Sequence, residues 1–258
     1  MKNHFFIGYS GNKRQEVDKI YNVIKDYIKD YNIIVEPFCG TCAFSYYFWL
    51  NNKDKKIKYI LNDNNKFLYD LFITAKDENK LNELYKKLIK IFEETTNKDL
   101  YLKVVERAKT DLDAWIYINK IYNIRAGLYP TTKKFNEQSL SSIINAPIIE
   151  FIRNADITFL NVDAVELYKN YKNDNKALIF LDPPYLASCN SFYKNPTTNI
   201  YEFLCDNDIA NEKAFVVLCL ENVWMIKLLF KGKKAIVYDK TYELSKKKTI
   251  HTIIINKK

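Results

Sequence analysis

The sequence predicts an α/β protein: an open, doubly wound, mostly parallel sheet with a C-terminal antiparallel hairpin and an inserted helical segment. Three observations carry that expectation. Apolar runs of strand length recur at 33–35, 58–61, 157–163, 178–181 and 214–222, with helical spacing between several of them. The first run passes into a tight turn around Gly40. Several runs close on an acid, at Glu36, Asp63, Asp163 and Asp182. In open α/β sheets ligands bind outside the carboxyl ends of the strands, so chemistry is expected at those acids.

Composition bounds the rest. A chain of 258 residues with 48% hydrophobic content suits one large domain, or a domain with a sizeable insertion. No run is long and apolar enough to span a bilayer, and the start Met1-Lys-Asn-His-Phe-Phe lacks the apolar region of a signal peptide. A soluble, cytoplasmic protein is expected. The five cysteines, Cys39, Cys42, Cys189, Cys205 and Cys219, are odd in number and scattered, as free thiols in a reducing compartment would be. Cys39-x-x-Cys42 lacks a second ligand pair, so no metal is expected. Only His4 and His251 are present, which argues against a histidine-based nucleophile relay. The net charge of +9 is uneven: residues 227–258 hold ten lysines and two acids, whereas 76–150 hold thirteen basic and eleven acidic residues. A basic C-terminal region favours a polyanion, although solvated lysines read the same way.

In chain order, residues 5–14 form an apolar piece and a turn with Tyr9, Gly11 and Lys13, ahead of a helix expected over about 15–29. Such a turn at a helix start can hold a carboxylate or phosphate, or simply begin the helix. Residues 33–45, with Glu36, Pro37, Phe38 and Gly40, read as strand, turn and helix. Asp63 follows the next strand about 20 residues later, where α/β nucleotide folds place a carboxylate for ribose hydroxyls. Residues 66–150 look helical and amphipathic, with charged faces around 81–92 and 100–115. The run 115–135 then mixes aromatic rings with Arg125, Lys133 and Lys134 and ends in a loop with Gly127 and Pro130. Stacking rings beside cations suit nucleic acid, and a helix end packed by aromatics fits equally well. Residues 235–243 and 249–256 suggest a hairpin with Lys246, Lys247 and Lys248 at its tip.

The organising stretch is Leu178-Ile-Phe-Leu-Asp182-Pro183-Pro184-Tyr185, an apolar strand stopped by two prolines. Asp182 and the Pro183 carbonyl can each accept a hydrogen bond from an exocyclic amine, while Tyr185 can stack on the base that bears it. Reaching that amine in duplex DNA requires turning the base out of the stack. The alternative is a buried strand followed by a surface Pro-Pro turn.

With these residues in order, the chain resembles the Dam-type, adenine-specific DNA methyltransferases of the D12 class over nearly its whole length. Tyr9-Ser10-Gly11-Asn12-Lys13 is similar to the family's N-terminal cofactor motif, and Glu36-Pro37-Phe38-Cys39-Gly40 to its glycine motif. Asn62-Asp63 matches the ribose-binding acid, Asp163 the residue near the cofactor adenine, and Asp182-Pro183-Pro184-Tyr185 the catalytic tetrapeptide. Asn123-Ile124-Arg125 with Thr131-Thr132 looks like the segment that reads bases. The chain departs from the family at Cys42, where a second glycine is usual, at Lys120 and Ile121, at Glu221 for a serine, and at His251 for an acid.

The resemblance implies a Rossmann-like catalytic domain over 1–70 and 151–258 and a helical target-recognition domain over 71–150. It implies S-adenosylmethionine as cofactor, double-stranded DNA as partner, and a restriction endonuclease as a further partner. Cofactor binding would fall to Tyr9, Gly11, Lys13, Glu36, Pro37, Phe38, Gly40, Asp63, Asp163 and Asp182. DNA binding would fall to Arg125, Lys133, Lys134, Lys246, Lys247 and Lys248. Neighbouring readings are an amino-directed methyltransferase acting on cytosine or RNA, an inactive binding protein, and a dinucleotide-binding protein.

Overall fold

The computed structural model describes residues 4–7, 13–125, 137–184, 202–204, 209, 212–241 and 248–256. The chain divides into two compact units: residues 1–15, 40–50 and 65–155, and residues 16–39, 51–64 and 156–258.

The second unit holds a seven-stranded sheet. Its strands are β1 (Ile33–Glu36), β2 (Lys58–Asn62), β3 (Asp156–Leu160), β4 (Ala177–Leu181), β5 (Phe215–Glu221), β6 (Lys234–Thr241) and β7 (Lys248–Ile255), in the order β3-β2-β1-β4-β5-β7-β6. The first five are parallel; β7 runs antiparallel to both β5 and β6. This is the expected mixed α/β architecture with its C-terminal hairpin. β4 is buried along its whole length and β5 along all but its last residue, which explains their unbroken apolar sequences. One face of the sheet packs Val35, Ile60, Ile179, Val216 and Ile254 into a core with Leu167 and Tyr168 of a helix at Ala164–Tyr171.

The helix expected over 15–29 is shorter. It spans Val17–Ile24 (α1), with a separate turn of 3₁₀ helix at Ile28–Asp30. The break lets Tyr27 and Tyr31 lay their rings against Phe215, with centroids 5.6 and 5.3 Å away. Tertiary packing overrides helical periodicity there.

The first unit is helical among its described residues: α2 (Ala43–Leu50), α3 (Lys66–Lys76), α4 (Glu78–Glu94), α5 (Lys98–Arg107), α6 (Leu112–Arg125), α7 (Glu137–Asn145) and α8 (Ile148–Asn154). The helix in the sheet unit at Ala164–Tyr171 is α9, and the one at Trp224–Leu229 is α10. Capping side chains set the helix starts. Asn65 accepts from Phe67 N, Asp77 from Asn79 N and Lys80 N, and Asn97 from Leu100 N. α4 buries Leu81, Leu84, Leu88 and Ile91, one stripe at helical spacing. The amphipathic stretch around 100–115 is two helices, because Asp111 and a turn at 108–110 interrupt it. The aromatic run beginning at Trp115 is helical to Arg125, and Trp115 stacks on Phe67 with centroids 5.2 Å apart.

Candidate active site

In the strand order, β1 leads outward to β2 and β3 on one side, and β4 leads to β5 on the other. The strand order therefore reverses between the parallel neighbours β1 and β4. A crevice opens outside the carboxyl ends at such a switch point, and this is where doubly wound sheets bind ligands. Glu36-Pro37-Phe38 leaves the end of β1, and Asp182-Pro183-Pro184 leaves the end of β4. The register pairs Val35 with Ile179, so the two motifs emerge side by side.

Glu36 is buried at 2% exposure, Pro37 and Pro183 are buried, and Asp182, Pro184 and Phe38 are half-buried. Burial and the Glu36 carboxylate push the Tyr59 phenol above its ordinary range, so Tyr59 stays a neutral neighbour of that acid.

Asp63 is half-buried just past β2, and Asp163 is exposed past β3. The three expected acids thus share the carboxyl edge of the sheet without forming one cluster, since β1 separates Asp63 from Asp182. Asp163 also caps α9, because its Oδ1 accepts from Val165 N at 2.8 Å and Glu166 N at 3.1 Å.

A residue that sequence reasoning did not single out holds this edge together. Asn62 is fully buried; its Nδ2 donates to Pro37 O at 2.9 Å and Val162 O at 3.1 Å, and its Oδ1 accepts from Val162 N at 2.9 Å. One amide thereby ties the loops after β1, β2 and β3. The available signal was an asparagine closing an apolar strand, where a buried amide must be fully hydrogen-bonded.

In the helical unit, Gly40 has φ +51° and Cys42 φ +58°. Cys42, standing where the resemblance implies a glycine, thus holds a side chain in the left-handed region, at a cost of about 1–2 kcal/mol. Lys13 is buried at 3%. Arg125 ends α6, and Lys248 opens β7 and is exposed. Tyr9, Gly11, Tyr185, Lys133, Lys134, Lys246 and Lys247 lie outside the described residues.

Cys39, Cys42 and Cys219 are buried thiols outside any disulfide among the described residues. Among the described residues, no group of three or more potential ligands could hold a metal ion, and no helix is long and apolar enough to cross a membrane.

The strand order and its switch point define the class: an α/β protein whose two central parallel strands run out into Glu36-Pro37-Phe38 and Asp182-Pro183-Pro184 at their carboxyl edge. Residues 9–242 match the family model of D12 class N6 adenine-specific DNA methyltransferases, and the chain belongs to that family. It is thereby a DNA adenine methyltransferase by family, with DNA as the substrate class. No curated protein matches it significantly.

Proposed function

We propose that the protein transfers a methyl group from S-adenosylmethionine to the exocyclic amine of an adenine turned out of double-stranded DNA. The observation that carries this reading is the juxtaposition of Glu36-Pro37 and Asp182-Pro183 at the switch point of the sheet. The residues present fit the cofactor. Gly40 takes a left-handed turn that lets the backbone approach a ligand, and Thr41 Oγ1 is buried with no hydrogen-bond partner among the described residues. Lys13 would meet the cofactor carboxylate, Glu36, Pro37, Phe38 and Gly40 its methionine portion, Asp63 the ribose and Asp163 the adenine. Tyr9 and Gly11 would complete the turn around Lys13.

When bound, S-adenosylmethionine supplies a methyl group already activated by a sulfonium charge. Asp182 and the Pro183 carbonyl accept hydrogen bonds from the two amine hydrogens, which returns lone-pair density to the nitrogen and aims it. As the nitrogen takes the methyl carbon, the carbon–sulfur bond breaks and S-adenosylhomocysteine leaves; the amine proton, made acidic by the new bond, passes to Asp182 and on to water, so Asp182 need not remove it first. Pro184 fixes the chain, and Tyr185 stacks on the base. Orientation of the reactants is the main contribution, and it can save about 7–11 kcal/mol.

The helical insertion, residues 71–150, would read the target, with Arg125 on a guanine edge worth about 1–3 kcal/mol of discrimination. Lys133, Lys134, Lys246, Lys247 and Lys248 would hold phosphates. Replacing the last three with alanine should flatten the salt dependence of DNA binding, by about 0.9 in log–log slope for each phosphate no longer neutralised. An unchanged slope would remove these lysines from the interface. Within the family, we propose a likeness to the T-even phage Dam enzyme and work in the cytoplasm.

The test is transfer of tritiated methyl groups to duplex DNA, followed by digestion and separation of the nucleosides. N6-methyladenine is the expected product. Label in cytosine, label in RNA alone, or no label would each overturn the reading. Sequencing modified bases in a methylation-deficient bacterium expressing the protein would then give the target site.

A further inference from the structure

A second set of buried polar groups lies within the sheet unit, at β6 and β7, which follow β5 in the strand order. The Glu16 carboxylate, 4% exposed, accepts the Tyr238 hydroxyl at 2.5 Å and the Lys240 ammonium. His251 Nδ1 stands 3.3 Å from Glu16 Oε2, and His251 is fully buried. Lys240 is 9% exposed. Glu16 immediately precedes α1, so the cluster joins the start of that helix to β6 and β7. Ring packing supports it: His251 meets Tyr238 edge-on at 5.7 Å, and Lys19 Nζ lies 5.5 Å from the Tyr238 ring centre.

Register places this cluster on the face that carries Asp182. Phe180 pairs with Val217, Cys219 with Ile253, and His251 with both Glu221 and Tyr238. Directly paired residues share a face, as do alternate residues along a strand. Asp182 continues the row of Leu178 and Phe180, next to the row of Val217 and Cys219. The fields agree. The Tyr238 phenol is pushed well above its ordinary value by burial first, then by Cys219, Glu16 and Asp182. It is a neutral donor committed to Glu16, with Asp182 in electrostatic reach.

Stability alone does not call for such a cluster. Burying an ion pair costs desolvation, and apolar replacements of the same volume are often neutral or stabilising. What an ion pair with fixed donors does provide is a single geometry. Resting on the methyltransferase reading above, we propose that Tyr238 and the Glu16 carboxylate it binds are positioning residues for methyl transfer. They hold the wall beside Asp182 in one arrangement without touching the reacting atoms.

Two variants test this, each followed by transfer kinetics, S-adenosylmethionine titration and thermal melting. Tyr238→Phe keeps the ring and removes only the hydroxyl. The combined Glu16→Leu/Lys240→Met variant removes both members of the ion pair at once. Each should stay folded, with a midpoint lowered by the buried hydrogen bonds it loses, and bind S-adenosylmethionine as the wild type does, while kcat measured well below those midpoints falls about tenfold or more, as small misplacements at a reacting centre do. Wild-type kcat in Tyr238→Phe would overturn the proposal. So would a loss of kcat that disappears when turnover is measured well below both melting midpoints, or that comes with an equal loss of S-adenosylmethionine binding, either of which marks a structural role. If the wild type methylates no DNA, the functional reading fails first and the positioning role falls with it.

Discussion

Two lysine–carboxylate pairs show how differently the two units use the same chemistry. In the helical unit, Lys66 Nζ meets Asp70 Oδ2 at 2.5 Å on α3, with the lysine side chain 72% exposed. In the sheet unit, Lys240 meets Glu16 with both side chains almost wholly buried. The first pair is one turn of helix apart and is solvated either way. The second links residues 224 positions apart and has no water to fall back on. Exposed pairs decorate a surface; the buried one constrains how three elements meet. The helical unit can thus change its surface at little energetic cost, whereas the sheet unit fixes side chains around its strand ends. That contrast suits the proposed roles, with methyl transfer at the strand ends of the sheet and target reading by residues 71–150.

Four substitutions probe this contrast, beginning with the most costly. Lys240→Met alone removes the ammonium from the buried Glu16 carboxylate, leaving it Tyr238 and His251, and should cost about 3–5 kcal/mol in chemical denaturation. A loss under about 1 kcal/mol would mean that water reaches the carboxylate. Asn62→Ala removes three hydrogen bonds at the edge of the sheet and should cost about 2–3 kcal/mol, as buried partners lose satisfaction. Lys120 gives a pH signature in the helical unit. It is half-buried, donates to Ser142 Oγ at 2.5 Å, and burial with the nearby Arg14 charge lowers its pKa from 10.5 to about 8. Between those values the unfolded chain binds the extra proton, so stability should rise with pH across that window. Lys120→Met should abolish the rise, measured as denaturation midpoints from about pH 7.5 to 10.5. Smallest, Lys66→Ala should change stability by no more than about 0.5 kcal/mol.

Legibility in the sequence divided along the same line. The parallel strands were readable because a strand covered on both faces is apolar throughout, as Ala177–Leu181 is. Asp182 stood out because it follows such a strand and two prolines stop the chain after it. The buried polar groups were hidden because side-chain partners come from distant parts of the chain. Asn62 looked like one member of a polar run, Asn62-Asp63-Asn64-Asn65, yet its amide is fully buried while the next residue is half-exposed. Lys240 left a trace, since period-two alternation puts it on the face of Ile236 and Tyr238, and an inward lysine needs a carboxylate. Nothing local pointed to Glu16, which lies near the other end of the chain. In the helical unit, the Asp77 and Asn97 caps are local to the sequence, whereas the partner of Trp115 in α6 is Phe67, far back along the chain.

Everything proposed for the site rests on the carboxylate that follows β4 carrying methyl transfer at the switch point of the sheet. Single-turnover transfer from S-adenosylmethionine to duplex DNA, by the wild type and by Asp182→Ala with cofactor titration of both, asks this with least interference. Asp182→Ala should bind S-adenosylmethionine and leave adenine unmethylated. Appreciable transfer by that variant would remove Asp182 from the chemistry.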